Sequence, residues 1–328
     1  MPALFFAACG VSGPPCPPGV GPGPKYSGRV FPRQSPEQGT TVKTLASLAL
    51  LGLVAVGAPA QAAESYDNCA GFIDAVPATI TTQGVWCLRK DLATGITSGE
   101  AILIATNNVT IDCNDFKLGG LAAGTATAAR GVVAVNRQNI RIRNCNIRGF
   151  HTGIDLDGGG QLVEDNSFNG NLSVGLRVSG DGSIVRRNAV LDTGGSTLAG
   201  SLTMAIGVVT VNNVDVLDNT IDSVLATGDG SGNKSAIGIQ TQSNLAGTIG
   251  GNRVRGVLAG GTGTHAGITN VSSGRIAVVD NILSGSTQAN GIGLTCANNQ
   301  GTAVRNIANG YPTGITGCTD SGGNVHML

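Results

Sequence analysis

Apolar and polar residues alternate along much of this chain in two short units that recur. The first reads apolar, two variable residues, Asn, one variable residue, apolar. It occurs at Ile111–Phe116, Val163–Phe168, Val185–Val190, Val216–Ile221, Ile249–Val254 and Val278–Leu283, and Ile142–Ile147 fits if Cys145 takes the Asn place. The second unit opens with Gly or Ala, at Gly153–Leu156, Gly175–Val178, Ala205–Val208, Ala236–Ile239 and Gly291–Leu294. Alternation is the period of a half-buried strand, so the pattern predicts many short strands.

The spacing of these units indicates stacked coils. Asn166 and Asn188 are 22 residues apart, whereas Asn188 to Asn219 is 31 and Asn219 to Asn252 is 33. Ser, Thr and Gly fill the longer intervals, around residues 192–203, 226–235 and 258–265. The sequence therefore predicts strands that stay in register while these loops bulge outward, where they are candidates for contact with a partner.

The repeated asparagines have a structural explanation. Asn tolerates the left-handed backbone conformation of turns, and its amide can bond to the backbone or to the Asn of the next coil. We therefore assign a structural role to Asn114, Asn166, Asn188, Asn219, Asn252 and Asn281.

The N-terminal region differs from the rest of the chain. Residues 1–41 hold nine of the twelve prolines, and after Val42 come a lysine, the apolar run Leu45–Val56 and small residues up to Ala63. This is typical of a signal peptide, and the apolar run is too short for a stable membrane span. We expect translation to start at Val42 and cleavage near Ala62. The expected organisation is a non-native or disordered extension at 1–41, a signal peptide at 42–62, a cap and entry strand at 63–100, the repeat region at 101–320 and a C-terminal tail at 321–328.

Charge and cysteine content narrow the class of protein. The chain has 20 basic and 20 acidic residues and no basic run, which excludes nucleic acid as a partner. An even number of cysteines after the signal peptide favours disulfides in a secreted protein of the periplasm, extracellular space or cell surface. Six cysteines allow fifteen pairings, and some could stay free; proximity favours Cys69 with Cys87, Cys113 with Cys145, and Cys296 with Cys318.

The two units resemble the repeats of right-handed parallel β-helix proteins such as pectate lyases, polygalacturonases and many exported bacterial proteins. The resemblance covers about residues 101–320. It implies an all-β fold, a single-stranded right-handed parallel β-helix (solenoid), with a small N-terminal cap around Pro77–Leu92. It also implies that a site would lie on the outward face of the strands.

One outward face carries several ionisable groups. In the strand that begins at Gly153, Ile154 and Leu156 would point inward, so Asp155 and Asp157 face outward. One coil later, Arg177 should stack beside Asp155. His151 precedes the strand, and the candidate catalytic residues are accordingly Asp155, Asp157, Arg177 and His151.

This group of residues admits two interpretations. Two carboxylates with an arginine could bind Ca²⁺ and an acidic sugar, or act as acid and base on a glycosidic bond. The alternative is a solvated face with an ion pair between Asp155 and Arg177, worth ~0 to 1 kcal/mol. In the later coils the residues at or near the outward positions carry no charge; they are Gly207, Gly238, Gly293 and Thr316.

Other candidate motifs are weak. Of the polygalacturonase motifs only an isolated Asn213-Val-Asp215 occurs, and lysines, which lyases use as bases, are scarce. A basic group could contact an acidic polysaccharide or form a solvated exterior; its members are Arg137, Arg141, Arg143 and Arg148. His265, in a Gly/Thr loop, and His326, in the tail, are isolated and suggest no metal site.

The sequence thus predicts an exported protein that interacts with carbohydrate, with polysaccharide lyase or hydrolase activity as its enzymatic form. The alternative is a non-catalytic cell-surface, adhesive or structural β-helix whose loops make the contacts. Enzyme activity, any Ca²⁺ requirement and the oligomeric state are open at this point.

Overall fold

The computed structural model describes residues 66–199, 204–226, 234–242, 246–271 and 274–328. The predicted extension and signal peptide lie outside the described residues, as do parts of the loops at 192–203 and 226–235. The architecture is that of the unit Gln61–Leu328.

The described strands form three parallel sheets, and each coil of the chain contributes one strand to each sheet in turn. Sheet I contains β2 Ala78–Ile80, β5 Glu100–Ile104, β8 Arg130–Gln138, β11 Thr152–Gly159, β14 Val174–Ser179, β17 Met204–Val211, β20 Ser235–Gln242, β23 His265–Asn270, β26 Gly291–Cys296 and β29 Thr313–Thr316. Sheet II contains β1 Gly71–Phe72, β3 Gly84–Cys87, β6 Val109–Asp112, β9 Ile140–Arg143, β12 Leu162–Glu164, β15 Ser183–Arg186, β18 Val214–Leu217, β21 Ala246–Gly250, β24 Arg275–Val279, β27 Gly301–Val304 and β30 Cys318–Asp320.

Sheet III closes each coil. It contains β4 Leu92–Ala93, β7 Lys117–Gly119, β10 Asn146–Arg148, β13 Ser167–Asn169, β16 Ala189–Gly194, β19 Thr220–Leu225, β22 Arg253–Leu258, β25 Ile282–Ser284, β28 Ile307–Asn309 and β31 Val325–Met327. Two single-turn 3₁₀ helices, Leu121–Ala123 and Ala297–Asn299, interrupt the strand pattern. The segment predicted as a C-terminal tail thus contributes β31, which pairs with β28.

The apolar core fills the space between the three sheets. Because side chains alternate along a strand, every second one points inward. Ile154 and Leu156 are two such residues and are fully buried. Parallel pairing aligns Ile154 with Val132 on one side and with Leu176 on the other. Each core position is therefore a column of aliphatic side chains that runs from coil to coil.

A buried asparagine ladder fixes the corner between sheets II and III. The Nδ2 atom of each ladder residue donates to the Oδ1 atom of the next, with distances of 2.9–3.0 Å. The same Nδ2 atom also donates to a backbone carbonyl of the preceding coil, as Asn219 does to Val185 at 3.0 Å. The ladder residues are Asn166, Asn188, Asn219, Asn252, Asn281, Asn306 and Asn324, and Cys145 takes the same place one coil earlier.

Two details of the predicted asparagine role differ from the structure. The left-handed residue is the one before each ladder asparagine, for example Asp165, Arg187 and Asp218, with φ of 57°, 53° and 54°. The ladder asparagines themselves do not have a positive φ. Asn114 is not in the ladder: it lies in a left-handed turn and donates to Leu88 O at 3.1 Å.

Three disulfides join cysteines as sequence proximity predicts. They are Cys69–Cys87, Cys113–Cys145 and Cys296–Cys318, which close loops of 18, 32 and 22 residues. In the chain-entropy model, loops of this size stabilise the folded state by ~3 to 4 kcal/mol each. The bonds therefore reinforce the first coils and the last ones, where a stack of strands has fewest neighbours.

His265 lies in the core and not in an exposed loop. It is the first residue of β23, is fully buried, and its ring stacks on Tyr311 with 5.8 Å between centroids. Neither ring nitrogen has a hydrogen-bond partner among the described residues. Burial lowers the pKa of His265 below its ordinary value of 6.5.

Replacing a ladder asparagine should be costly. Asn219→Ala removes the Oδ1 atom that accepts from two buried donors of Asn188, and it removes the Nδ2 atom that makes three donor contacts. We therefore expect a loss of about 2 to 4 kcal/mol in the free energy of unfolding. Guanidinium unfolding measures it. The control is Asn309→Ala, at an exposed position of β28. Equal losses in the two variants would contradict a ladder role.

His265 should make the fold sensitive to mild acid. Its folded pKa is lowered, so the unfolded state binds a proton near its ordinary pKa of 6.5 while the folded state resists it. The stabilisation is present above pH 6.5 and is lost as pH falls below that value. We expect the free energy of unfolding of the wild type to fall relative to that of His265→Phe as the pH is lowered from 7 to 5. Parallel pH profiles would refute this.

Candidate functional site

The outward face of sheet I carries a charge ladder across four successive coils. It consists of Glu100, Arg130, Asp155 and Arg177, and the register pairs Asp155 directly with Arg177, as the sequence predicts. Arg177 Nη1 lies 2.9 Å from Asp155 Oδ1, and Arg130 Nη1 lies 2.8 Å from Asp155 Oδ2. Arg130 also pairs with Glu100. The signs of the charges alternate, so each carboxylate is next to an arginine.

This arrangement restricts what Asp155 can do. Both of its carboxylate oxygens accept a hydrogen bond from an arginine, and its side chain is only 19% exposed. Burial alone would lower the pKa of Arg130, but its hydrogen bonds to Glu100 and Asp155 outweigh burial and raise it. The arginine therefore stays charged, and the geometry favours a structural role for Asp155 over proton transfer.

Asp157 stands at the edge of a polar groove. It is half-buried on the same strand, and Gly158, the next residue, is part of the groove lining. The groove has a volume of about 710 Å³ and lies at the corner between sheets I and II. We call it the corner groove; its lining residues are Asn136, Gln138, Asn139, Gly158, Gly159, Gly160, Gly180, Asp181 and Asn212.

The lining is built by contacts between coils. Asn139 Nδ2 donates to Asn108 Oδ1 at 2.9 Å, and Asn213 Nδ2 donates to Asp181 Oδ1 at 3.0 Å. The backbones of adjacent coils approach so closely that a Cβ on Gly158 would lie 1.8 Å from Arg137 O. Glycine is therefore required there.

His151 does not join the carboxylates. It directly precedes β11 and lies four residues before Asp155, which corresponds to ~13 Å between Cα atoms along an extended strand. Its Nδ1 atom lies 3.3 Å from Thr152 Oγ1, and burial lowers its pKa. Of the predicted site residues, the structure brings Asp155 and Arg177 together, places Asp157 beside the corner groove and leaves His151 apart.

The predicted basic group is dispersed in the structure. Arg143 Nε pairs with Asp112 Oδ2 at 2.7 Å on sheet II, whereas Arg148 belongs to sheet III. Arg141 is exposed on β9, and Arg137 is half-buried at the end of β8. These four side chains thus do not form one cationic surface.

The later coils of sheet I carry no charge in the column that continues from Arg177. Val209, Gln240, Thr269, Thr295 and Thr316 follow it in register. The glycines predicted at or near the outward positions instead face the core: a Cβ on Gly207 would lie 2.8 Å from Ile221 Cγ2. Val209 also packs with Ile206 and Ile237 in a second, smaller apolar cluster.

Sequence reasoning missed Glu100 and Arg130 of the charge ladder and all four carboxamides of the corner groove. In the strand register Arg130 is paired with Thr152, and only its long side chain reaches Asp155. The spacing between coils therefore did not reveal this contact. Asn136 and Gln138 are among the last residues of β8, and Asn139 and Asn212 directly follow β8 and β17, a recurrence at the ends of sheet I strands that could have been noticed.

No group of three or more His, Cys, Asp or Glu side chains among the described residues is placed to hold a metal ion. No helix found there has the length and apolarity needed to cross a membrane.

Comparison with known proteins agrees with the three-sheet architecture. Residues 93–236 match the family model described as the right handed beta helix region. Together with the parallel sheets, this match identifies the fold as a right-handed parallel β-helix, as the repeats predict. The solved structure of the Dettilon tailspike protein (gp208) aligns with a TM-score of 0.48 and 16% identity, over 78% of this chain and 60% of the tailspike chain. No curated protein matches the sequence.

The charge ladder should contribute modestly to stability. Asp155→Asn removes the anion between two arginines, so we expect a loss of about 1 kcal/mol in the free energy of unfolding, smaller in high salt. Asp157→Asn, two residues away, should change it by less than about 0.5 kcal/mol. Guanidinium unfolding at two NaCl concentrations measures both. A larger loss for Asp157→Asn than for Asp155→Asn would contradict the assignment of Asp155 as the carboxylate that stabilises the fold.

Proposed function

We propose that this protein is an exported carbohydrate-binding β-helix whose ligand lies in the corner groove. The observation that carries the proposal is the chemistry of the lining: four carboxamides, one carboxylate and four glycines. Most small-molecule sites are lined predominantly by apolar and aromatic side chains, and none of the lining residues described in the structure is of these types.

The lining groups are suited to sugar hydroxyls. A carboxamide both donates and accepts hydrogen bonds, and so does a hydroxyl, so each can satisfy the other in either direction. Glycines such as Gly159 keep bulky side chains out of the same surface. The groove can therefore hold a ligand that is polar over its whole length.

The groove also has the shape of a site for a linear chain. Its residues come from four successive coils, represented by Asn136, Gly158, Asp181 and Asn212. Neighbouring parallel strands are ~4.8 Å apart, so the groove extends ~14 Å along the axis of the stack. A linear polymer of this length would contact residues of all four coils.

Export is part of this proposal. The residues at 42–62 have the sequence pattern of a signal peptide. The three disulfides point in the same direction, because such bonds persist in the periplasm and outside the cell.

A polysaccharide lyase or hydrolase is the enzymatic alternative, and it depends on Asp157. With Asp155 bound to two arginines, Asp157 is the sheet I carboxylate best placed to transfer a proton to or from a ligand in the groove. If the protein is an enzyme, Asp157→Asn should abolish the release of reducing ends or of unsaturated products absorbing in the ultraviolet. Asp155→Asn should retain activity in proportion to folded protein.

Binding can be tested with a panel of immobilised neutral, amino and acidic polysaccharides. Gln138→Ala removes one groove carboxamide at a position without backbone strain, so we expect the Kd of any bound glycan to rise about fivefold. Gln83→Ala, an exposed glutamine outside the groove, is the matched control. If a glycan binds equally well to both variants, the corner groove is not the site; the loops at 192–203, 226–235 and 258–265 then become the candidates. If no glycan binds, the proposed function is wrong.

A further inference from the structure

The charges around the corner groove restrict the glycans it can hold. Among the described residues, Asp181 is the only charged one in the lining, and Asp157 stands immediately before Gly158, the first lining glycine of its strand. Both are acidic. A ligand in the groove therefore meets negative potential from two adjacent coils.

The neighbouring cations do not compensate for these carboxylates. Arg130 and Arg177 both bind Asp155, which lies two residues before Asp157 on the strand. Arg137 lies between two lining residues in the sequence, yet its side chain is not part of the lining, and its Nε atom is buried. A ligand carboxylate in the groove would thus find no arginine or lysine to pair with among the lining residues that the structure describes.

Asp181 is held in position to act on a ligand. Its Oδ1 atom accepts hydrogen bonds from Asn213 Nδ2 at 3.0 Å and from Asn213 N at 3.5 Å. No bond of its Oδ2 atom to a described residue appears in the structure. The orientation of the carboxylate is therefore fixed through one oxygen while the other can accept from a ligand.

Resting on the proposed function, we infer that the corner groove takes glycans without carboxylate groups, with a preference for those that carry free amino groups. Hydroxyls and acetamido groups pair with the carboxamides, and an ammonium group pairs with Asp181. A polyuronate, which carries one carboxylate on every sugar, is excluded by like-charge repulsion. The ligand class is thus opposite in charge to the pectic and alginate polymers that the fold first suggests.

The test compares three labelled hexamers of similar length with the full chain: glucosamine, N-acetylglucosamine and galacturonate. We expect the glucosamine hexamer to bind about fivefold more tightly than the acetylated one, as one partly exposed ion pair allows, with the preference declining in salt. The galacturonate hexamer should bind most weakly, with or without Ca²⁺.

Isosteric variants separate a specific ion pair from general attraction. Asp181→Asn retains the oxygen that Asn213 needs and should remove the preference for the amino hexamer, with Asp157→Asn as a second variant. Asp67→Asn, at an exposed position outside the groove and the three loops, should leave the preference intact. Equal effects of all three variants would overturn the inference.

The failure of the inference is distinguishable from failure of the proposed function. Tighter binding of galacturonate than of the other hexamers, or Ca²⁺-dependent binding of galacturonate, would overturn the inference and leave carbohydrate binding standing. Absence of binding for every hexamer and for the polysaccharide panel would overturn the proposed function itself.

Discussion

The stacking of successive coils in register is the constraint on which the rest of the structure depends. Backbone hydrogen bonds between parallel strands set the spacing, but they would tolerate a slip of two residues. The asparagine ladder opposes such a slip, because each amide bonds both to its neighbour and to a carbonyl of the preceding coil. The ladder is buried, so a broken link would leave donors and acceptors without water.

Register has an electrostatic consequence, because it brings equivalent positions of every coil side by side. Identical charges at one position would repel along the whole stack. Sheet I avoids this by alternating acid and base in its charge ladder, and sheet II does the same with Asp112, Arg143, Glu164 and Arg186. Burial raises the pKa of Glu164, but the hydrogen bonds and charge of Arg186 and the hydrogen bond of Arg187, with a contribution from the charge of Arg141, together outweigh burial, and the pKa is lowered.

The sequence predicts the fold well because its main determinants are local and repeated. Alternation, the recurring asparagine and the spacing of 22 residues gave the parallel coils, the inward positions of Ile154 and Leu156, and the pairing of Asp155 with Arg177. The disulfides followed from proximity. Each of these depends on residues one coil apart.

The candidate site was harder to predict because its parts do not follow the repeat. Arg130 reaches Asp155 only through the length of its side chain, and the corner groove comes from irregular turns where coils differ in length. His265 was misplaced for a related reason: its Gly/Thr-rich surroundings indicate a loop, whereas burial beside Tyr311 depends on tertiary packing. The position of a residue within a coil can therefore be predicted from the repeat, whereas the shape of the corner groove cannot.

The distance along the chain between consecutive ladder asparagines varies from 18 to 33 residues, yet the ladder is unbroken from Asn166 to Asn324. The chain can thus gain or lose a dozen residues in a coil without disturbing the next one. Such tolerance lets selection, or a protein engineer, change the loops between sheets III and I while the frame that supports them is retained. The length and sequence of the surface loops can therefore vary without a change in how the coils stack.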